Sequence, residues 1–274
     1  MQNILDNRTG HYEKDADGLC TRLTQPVEKQ GKLEYSVDQK TFEEQGWVIQ
    51  PEDLTLCNFI GGGDFASKSL QHPNLVKLIG VVTGGPNIQI ITEYMAKGNL
   101  LEYLRSRDQT IITNEDQIKF ASDTCRGMAY LESKNLVHRD LAARNVLINE
   151  EGVAKVSDFA LTKPVDANMD DDRLPIKWTA PEALRECIFT NKSDMWSFGI
   201  LLWEIYSFGR EPYPGIPLED VVSYINDGNQ NERPDGCPEE IYKIMQQTWN
   251  LDAKLRPTFN CLRFMLELMR APAI

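Results

Sequence analysis

The pattern of apolar and polar positions changes character along the chain. Residues 1 to about 53 are polar and charged, with little sustained apolar periodicity. From Leu54 an alternation sets in: Leu54-Thr55-Leu56-Cys57-Asn58-Phe59-Ile60 reads as a strand that runs into Gly61-Gly62-Gly63. Two β-rich runs, Leu75 to Val82 and Ile88 to Glu93, flank Thr83-Gly84-Gly85-Pro86 and predict an antiparallel hairpin. Helical periodicity then takes over. Thr113 followed by Asp116 has the form of a capping box, opening a helix with Ile118, Ala121, Cys125 and Met128 on one stripe. Trp196 to Tyr206 is apolar on nearly all sides, which predicts a helix at the centre of a helical lobe. Pro257 stands where a first-turn proline belongs, before Phe259, Leu262, Leu266 and Met269 at helical spacing. The layout is α+β: a small β-rich part, then a larger α-rich part, without repeats.

Composition narrows the classes of partner. Lys plus Arg number 29 against 41 Asp plus Glu, a formal charge of −12 over 274 residues. Such a surface repels phosphate backbones and anionic lipid, so neither nucleic acid nor membrane is expected as a primary partner. Met1 to Asp6 carries no basic, apolar leader pattern, and Gln2 excludes N-myristoylation. The longest apolar stretch, Phe198 to Tyr206, is too short to span a bilayer and contains Glu204, so no direct membrane insertion is expected. Six cysteines (Cys20, Cys57, Cys125, Cys187, Cys237, Cys261) are scattered without zinc or disulfide spacing. Free thiols in a reducing, cytoplasmic setting are the simplest reading.

The chemistry concentrates in one segment. His138-Arg139-Asp140-Leu141-Ala142-Ala143-Arg144-Asn145 is followed by Val146-Leu147-Ile148, a turn at Asn149 to Gly152, and Val153-Ala154-Lys155-Val156. Pairing Val146 with Val156 in an antiparallel hairpin brings Asn145 close to Ser157 and Asp158. An amide oxygen and a carboxylate then face one small volume, a hard-oxygen set suited to Mg²⁺ when phosphates and water complete it. Asp140, five residues before Asn145, would stand at the same mouth and could accept a proton or orient a hydroxyl.

These residues resemble the protein-kinase catalytic loop and metal motif, His-Arg-Asp…Asn followed by Asp-Phe-Gly, with Ala160 in the place of the glycine. The resemblance implies Asp140 as catalytic base, Arg139 as a brace for the loop, Asn145 and Asp158 as magnesium ligands, and ATP as phosphoryl donor. It further implies that Glu182 in Ala180-Pro181-Glu182 pairs with a buried Arg256, and that Asp194 binds the catalytic-loop backbone. Ala142 occupies the position where serine/threonine kinases carry a lysine; Arg144 and Pro175-x-Lys177-Trp178 resemble the platform of tyrosine kinases. From about Leu75 onward the chain is similar to the C-terminal Src kinase family of non-receptor protein-tyrosine kinases. Thr92-Glu93-Tyr94-Met95-Ala96-Lys97-Gly98 matches the hinge, and Ser197 to Arg210 matches the buried helix together with the turn at its end. Thr92 would be the gatekeeper, Glu93 and Met95 would offer backbone groups to adenine, and the protein substrates implied are the inhibitory tails of Src-family kinases. Arg105 and Arg107 resemble part of the basic surface that holds those kinases. Leu161 to Leu174 contains no tyrosine, so no phosphotyrosine switch is expected there.

Two departures complete the expectation. His11 to Leu23 resembles the end of a Src-homology-2 domain, giving a layout of a remnant over residues 1–26, a linker over 27–53, an incomplete kinase N-lobe over 54–94 and a C-lobe over 95–272. Ile60-Gly61-Gly62-Gly63-Asp64-Phe65 resembles the opening of the nucleotide-binding Gly-rich loop, with Ile60, Gly61 and Gly63 as cofactor contacts. Yet only Ala66 to Gln71 separates Phe65 from His72-Pro73-Asn74, which resembles the run just after the family's helix αC. A return strand, a strand carrying the ATP-positioning lysine and that helix need roughly 30 residues. The expected fold is therefore a bilobal kinase with two strands and helix αC missing from the N-lobe and a complete C-lobe. Weakened ATP and Mg²⁺ binding and impaired turnover are the expected consequences. The alternatives are a catalytically weak pseudokinase or interaction module, or a truncated splice or gene-model product.

Overall fold

The computed structural model describes Val48 and residues 70–82, 89–107, 111–158, 163–164 and 174–270. The expectations for the Src-homology-2 remnant, the strand at 54–60, the contacts at Ile60, Gly61 and Gly63, and most of the loop from Phe159 to Arg173 lie outside these residues.

The predicted first hairpin is present: β1 (Leu78–Val82) pairs antiparallel with β2 (Gln89–Thr92). The register shifts between Leu78 and Gly80, so Ile79 is the extra residue of a bulge and lies exposed. Below the hairpin, α1 (Leu100–Ser106) is capped by Asn99, whose side chain accepts from Glu102 N at 2.8 Å. The chain continues into α2 (Asn114–Ser133), opened by the expected Thr113–Asp116 capping box. Ala121, Cys125 and Met128 are buried as the stripe predicts, with Ile118 half-buried at its edge. Then come β3 (Leu136–Val137), β4 (Val146–Ile148) and β5 (Ala154–Val156), with β6 (Lys163–Pro164) pairing to β3. The β4–β5 register joins Val146 to Val156, as the constant-sum argument requires.

The remaining elements are helical: α3 (Pro181–Glu186), α4 (Asn191–Tyr206), α5 (Val221–Asn226), α6 (Glu239–Thr248) and α7 (Phe259–Arg270). Every residue of α4 from Ser193 to Tyr206 is buried, which is what its all-round apolar sequence demands. A capping box of Thr190 and Ser193 starts this helix. Two expectations for the last helix are corrected. Pro257 is outside its first turn: Thr258 precedes the helix and its hydroxyl accepts from Cys261 N at 3.2 Å, so threonine takes the capping role. Met269 is not in the core but substantially exposed, because α7 turns it past the edge of its contact with α2.

The small β part is tied to the helical part through the backbone. Val76 N donates to Val156 O and Val156 N to Asn74 O, both at 2.9 Å. Lys97 N donates to Ile148 O and Ile148 N to Gly98 O, strapping residues 97–98 onto β4. Further down, the expected pair forms: Arg256, 1 % exposed, holds Glu182 through both guanidinium ends at 2.6 and 2.8 Å. Its remaining donors reach Asn250 O and Lys192 O, and Trp196 packs against its face at 5.0 Å. A buried guanidinium with its donors paired in this way carries no uncompensated charge. Among the described residues no helix is long and apolar enough to cross a membrane, and Cys125, Cys187, Cys237 and Cys261 are free.

Gly199 marks the closest approach between α4 and α6. A Cβ there would collide with the Thr248 hydroxyl and come within 2.6 Å of Trp249 Nε1. Gly199→Ala should therefore destabilise the protein by about 1–3 kcal/mol through overpacking. A shift in the urea midpoint at unchanged slope would report it; an unshifted midpoint would contradict this packing.

Candidate active site

The loop that follows β3 is held from beneath by α4. Asp194, in its first turn, accepts from His138 N at 2.7 Å and from Arg139 N at 2.9 Å, one bond to each carboxylate oxygen. The grip maintains Arg139 at φ 73°, a left-handed conformation that costs a non-glycine residue energy. The Arg139 side chain turns inward, 7 % exposed, with its guanidinium 5.0 Å from the Phe189 ring centre. His138 bridges two segments: its Nε2 lies 2.9 Å from Ser157 O, and its Nδ1 accepts from Asp140 N at 3.3 Å.

Asp140 is left half-buried at the mouth, as the sequence spacing places it. Its carboxylate pairs with the Arg144 guanidinium on one oxygen and accepts from Asn145 Nδ2 at 2.8 Å on the other. Asn145 Nδ2 also donates to Asp140 O at 2.7 Å. With its nitrogen engaged there, the amide presents its oxygen to the other side. The Asn145 carbonyl accepts from both Ser157 N and Ser157 Oγ at 2.9 Å, which fixes the residue next to Asp158 against it. Asp158 itself has φ 56° and is half-buried. The structure thus brings Asp140, Arg144, Asn145 and the start of the Asp158 segment to one mouth. The donor set fits Mg²⁺: an amide oxygen and a carboxylate, both hard ligands, at adjacent ends of one hairpin. Among the described residues no group of three or more His, Cys, Asp or Glu could cage a metal alone, so ligands from a phosphate substrate would complete this one.

Arg144 lies over the Trp178 ring at 4.7 Å. Trp178 Nε1 donates to Glu204 Oε2 at 3.0 Å, and the same oxygen accepts from Ala143 N at 2.9 Å. Glu204 was legible only as a charge inside an apolar run; an acid in a helix that is otherwise all core is the signal that could have marked it. Burial raises its pKa to about 7, opposed by the Trp178 and Ala143 bonds and the nearby Arg144 and Arg105. Burial likewise raises Asp194 to about 6 against the pull of His138 and Arg139.

The adenine contacts expected from residues 92–95 occupy the end of β2 and the strap beyond it. Glu93 N already donates to Lys77 O at 3.0 Å, and its carboxylate holds Lys77 N at 2.8 Å and Lys155 Nζ at 2.6 Å. Its carbonyl, rather than its N–H, is therefore the group for a ligand. Thr92 is half-buried, and Met95 is buried with its carbonyl closing a turn to Gly98 N. Leu147 escaped the sequence reading. It is half-buried between the buried Val146 and Ile148, so strand alternation turns it away from the core beside Asn99. Arg105 donates to Gly209 O at 2.7 Å and Arg107 lies 4.3 Å from the Tyr103 ring, so both basic side chains are partly engaged within the fold.

The profile of the protein tyrosine and serine/threonine kinase family matches residues 63–266. The chain belongs to that family. Tyrosine-protein kinase csk-1 of Caenorhabditis elegans is 45% identical over 307 residues, covering 93% of this chain and 57% of that protein. Megakaryocyte-associated tyrosine-protein kinase of Mus musculus is 40% identical over 293 residues, covering 94% of the chain and 56% of its own length. Tyrosine-protein kinase Abl of Drosophila melanogaster is 39% identical over 312 residues, 97% of the chain and 19% of that protein. The chain spans little more than half the length of the first two relatives. The likeness is to tyrosine kinases of the C-terminal Src kinase type, on an α+β kinase fold with few N-lobe strands among the described residues. The first alignment runs over 307 residues, more than the 274 in the chain, so part of the relative's matched region has no counterpart in this chain.

The raised carboxylate of Glu204 makes a pH prediction. Its folded pKa lies above the ordinary 4.5, so the folded protein binds the proton more tightly than the unfolded chain. Its contribution to stability is complete below pH 4.5 and is lost as pH rises through about 7. The loss is on the order of 3 kcal/mol. Glu204→Gln should flatten this part of the stability profile; denaturant titrations from pH 4.5 to 7 giving parallel curves for both proteins would contradict the assignment.

Proposed function

We propose that this chain carries the phosphoryl-transfer floor of an ATP-dependent, non-receptor protein-tyrosine kinase and that its turnover is impaired. The observation that supports it most is the cluster in which Asn145 and Arg144 both hold the Asp140 carboxylate while Asn145 is pinned to Ser157. In this reading the phenolic oxygen of a substrate tyrosine attacks the γ-phosphorus of ATP. Asp140 orients the hydroxyl and takes its proton, the new P–O bond forms on tyrosine, and the bond to the leaving ADP oxygen breaks. Asn145 and Asp158 would hold Mg²⁺, which offsets charge on the phosphates. Arg144, stacked on Trp178, lends positive charge near the acceptor, and Arg139 braces the loop. By resemblance, Thr92, Glu93 and Met95 would border the adenine, and Ile60, Gly61 and Gly63 would belong to the phosphate-binding loop.

Impairment rests on the six residues between Phe65 and His72, which leave no room for the lysine-bearing strand or its supporting helix. Phosphoryl transfer depends on positioning and electrostatic stabilisation, and loss of one preorganised donor costs about 10²–10³ in rate. The same six residues support the second reading, a weakly catalytic interaction module of the same lobe. The substrates proposed by resemblance are tyrosines in the tails of Src-family kinases, met in the cytoplasm.

The purified chain should phosphorylate a tyrosine peptide at close to background rate and bind ATP weakly. Inserting a relative's two strands and helix between Phe65 and His72 should restore turnover, and Asp140→Asn should abolish the gain. Asp140-dependent turnover at ordinary kinase rates by the chain as it stands would overturn the impairment. Failure of the graft to restore any activity while ATP binds normally would favour the interaction module.

A further inference from the structure

Glu204 lies near the end of α4, 1 % exposed, in a helix whose other inward residues are almost all apolar. One atom of its carboxyl group, Oε2, accepts from Trp178 Nε1 at 3.0 Å and from Ala143 N at 2.9 Å. Two segments far apart in the chain thereby meet at a single oxygen. The backbone of Trp178 is secured without Glu204: its N–H donates to Pro175 O at 2.9 Å, and its carbonyl accepts from Ser197 Oγ at 2.7 Å. The indole is the part of Trp178 that Glu204 holds.

Both bonds lead on to Arg144. Its guanidinium lies 4.7 Å from the Trp178 ring centre, and its backbone follows directly on Ala143. Arg144 in turn pairs with the Asp140 carboxylate. The charged groups that act on Glu204 are Arg144 on the loop and Arg105 on α1. Lys177, beside Trp178, is occupied by Glu211 at 2.6 Å, and Asp140 stands behind Arg144. Burial brings the Glu204 pKa to about 7, against the Trp178 and Ala143 bonds and these two cations. Those bonds favour the ionised form, so by reciprocity ionisation strengthens them: a carboxylate accepts more strongly than a neutral carboxyl group.

We infer that Glu204 is a proton-responsive positioning residue. As a carboxylate it draws the Trp178 indole and the Ala143 N–H to one point; on taking up a proton it loosens both and, through Arg144, the hold on Asp140. The step is a proton exchange with solvent, in which an O–H bond on Glu204 forms or breaks and nothing else changes covalently. Glutamine at this place offers the same acceptor without the charge, so comparing the two side chains isolates the effect of the proton. Acidification through neutral pH thus uncouples the Trp178 segment from the group beside Asp140. The consequence for catalysis rests on the phosphoryl-transfer reading above, whereas the coupling itself does not.

The test uses the full chain, ¹⁵N- and ¹³C-labelled, without nucleotide, so that failure here and failure of the phosphoryl-transfer reading are told apart. The chain has five tryptophans, and the Trp178 indole N–H resonance is assigned by its loss in Trp178→Phe. Between pH 5.5 and 8.5 it should move downfield along one titration curve centred at about pH 7, as its bond strengthens. The Arg144 ¹³Cζ resonance, assigned by its loss in Arg144→Gln, should follow the same curve. In Glu204→Gln both resonances should stay fixed. Arg105→Gln alters an exposed side chain and removes a cation that favours ionisation, so it should move the transition to higher pH. This variant decides the matter should Glu204→Gln not fold. A Trp178 resonance that does not titrate, an Arg144 resonance that fails to follow it, a transition that persists in Glu204→Gln, or an unmoved midpoint in Arg105→Gln would each overturn the inference.

Discussion

Two carboxylates on the buried helix α4 hold the reactive loop by its backbone, and most of the site geometry depends on that grip. Asp194 takes the N–H groups of His138 and Arg139 in the first turn of the helix, and Glu204, near its end, takes that of Ala143. Carboxylates so deeply buried are expensive, as their raised pKa values express. The donors from the loop backbone and Trp178 offset part of that cost, and they restrict the loop to few conformations. Residues between those anchors inherit the constraint. Asp140 is left facing outward because His138 and Arg139 on one side and Ala143 on the other are all tied down.

The same helix orders the neighbouring surface. Glu204 reaches Trp178 as well as Ala143, so the Trp178 segment and the loop share one anchor, and Arg144 closes the arrangement by stacking on the indole. The segment bearing Trp178 is secured a second time a few residues later, where Glu182 meets Arg256. A floor fixed at both ends can be rigid without help from the other lobe. This is why the helical part makes a self-consistent body, with a single hairpin above it among the described residues.

The contrast between the two parts bears on chemistry. Below, hydrogen bonds to buried charges position each group that would act on the acceptor. Above, the described strands form a single hairpin joined to the lower part through Val76, Val156 and the strap at 97–98. Orientation of phosphates requires cations held from both sides. With six residues between Phe65 and His72, the impairment proposed above concerns the half of that requirement that the helical part does not supply.

Local rules made much of this protein legible from sequence. Thr113 with Asp116 announced the start of α2, the β-rich runs on either side of Thr83 to Pro86 announced β1 and β2, and the constant sum of an antiparallel ladder paired Val146 with Val156. The motif around His138 to Asn145 identified the loop, and its resemblance named the partners Glu182–Arg256 and Asp194–loop backbone. Errors arose where local pattern underdetermines geometry: Pro257 against Thr258 as the start of α7, and Met269 at a helical spacing that the partner helix does not reach. Beyond that, only tertiary structure could decide. Leu147, Glu204 and the bond between Glu204 and Trp178 join segments far apart in the chain, and so does the contact of Asn231 with Tyr213. Periodicity and caps are written in neighbouring residues, because they arise from the backbone's own repeat. The identity of a buried polar group's partner is set by which distant segments the packing brings together, and no single stretch of sequence contains that information.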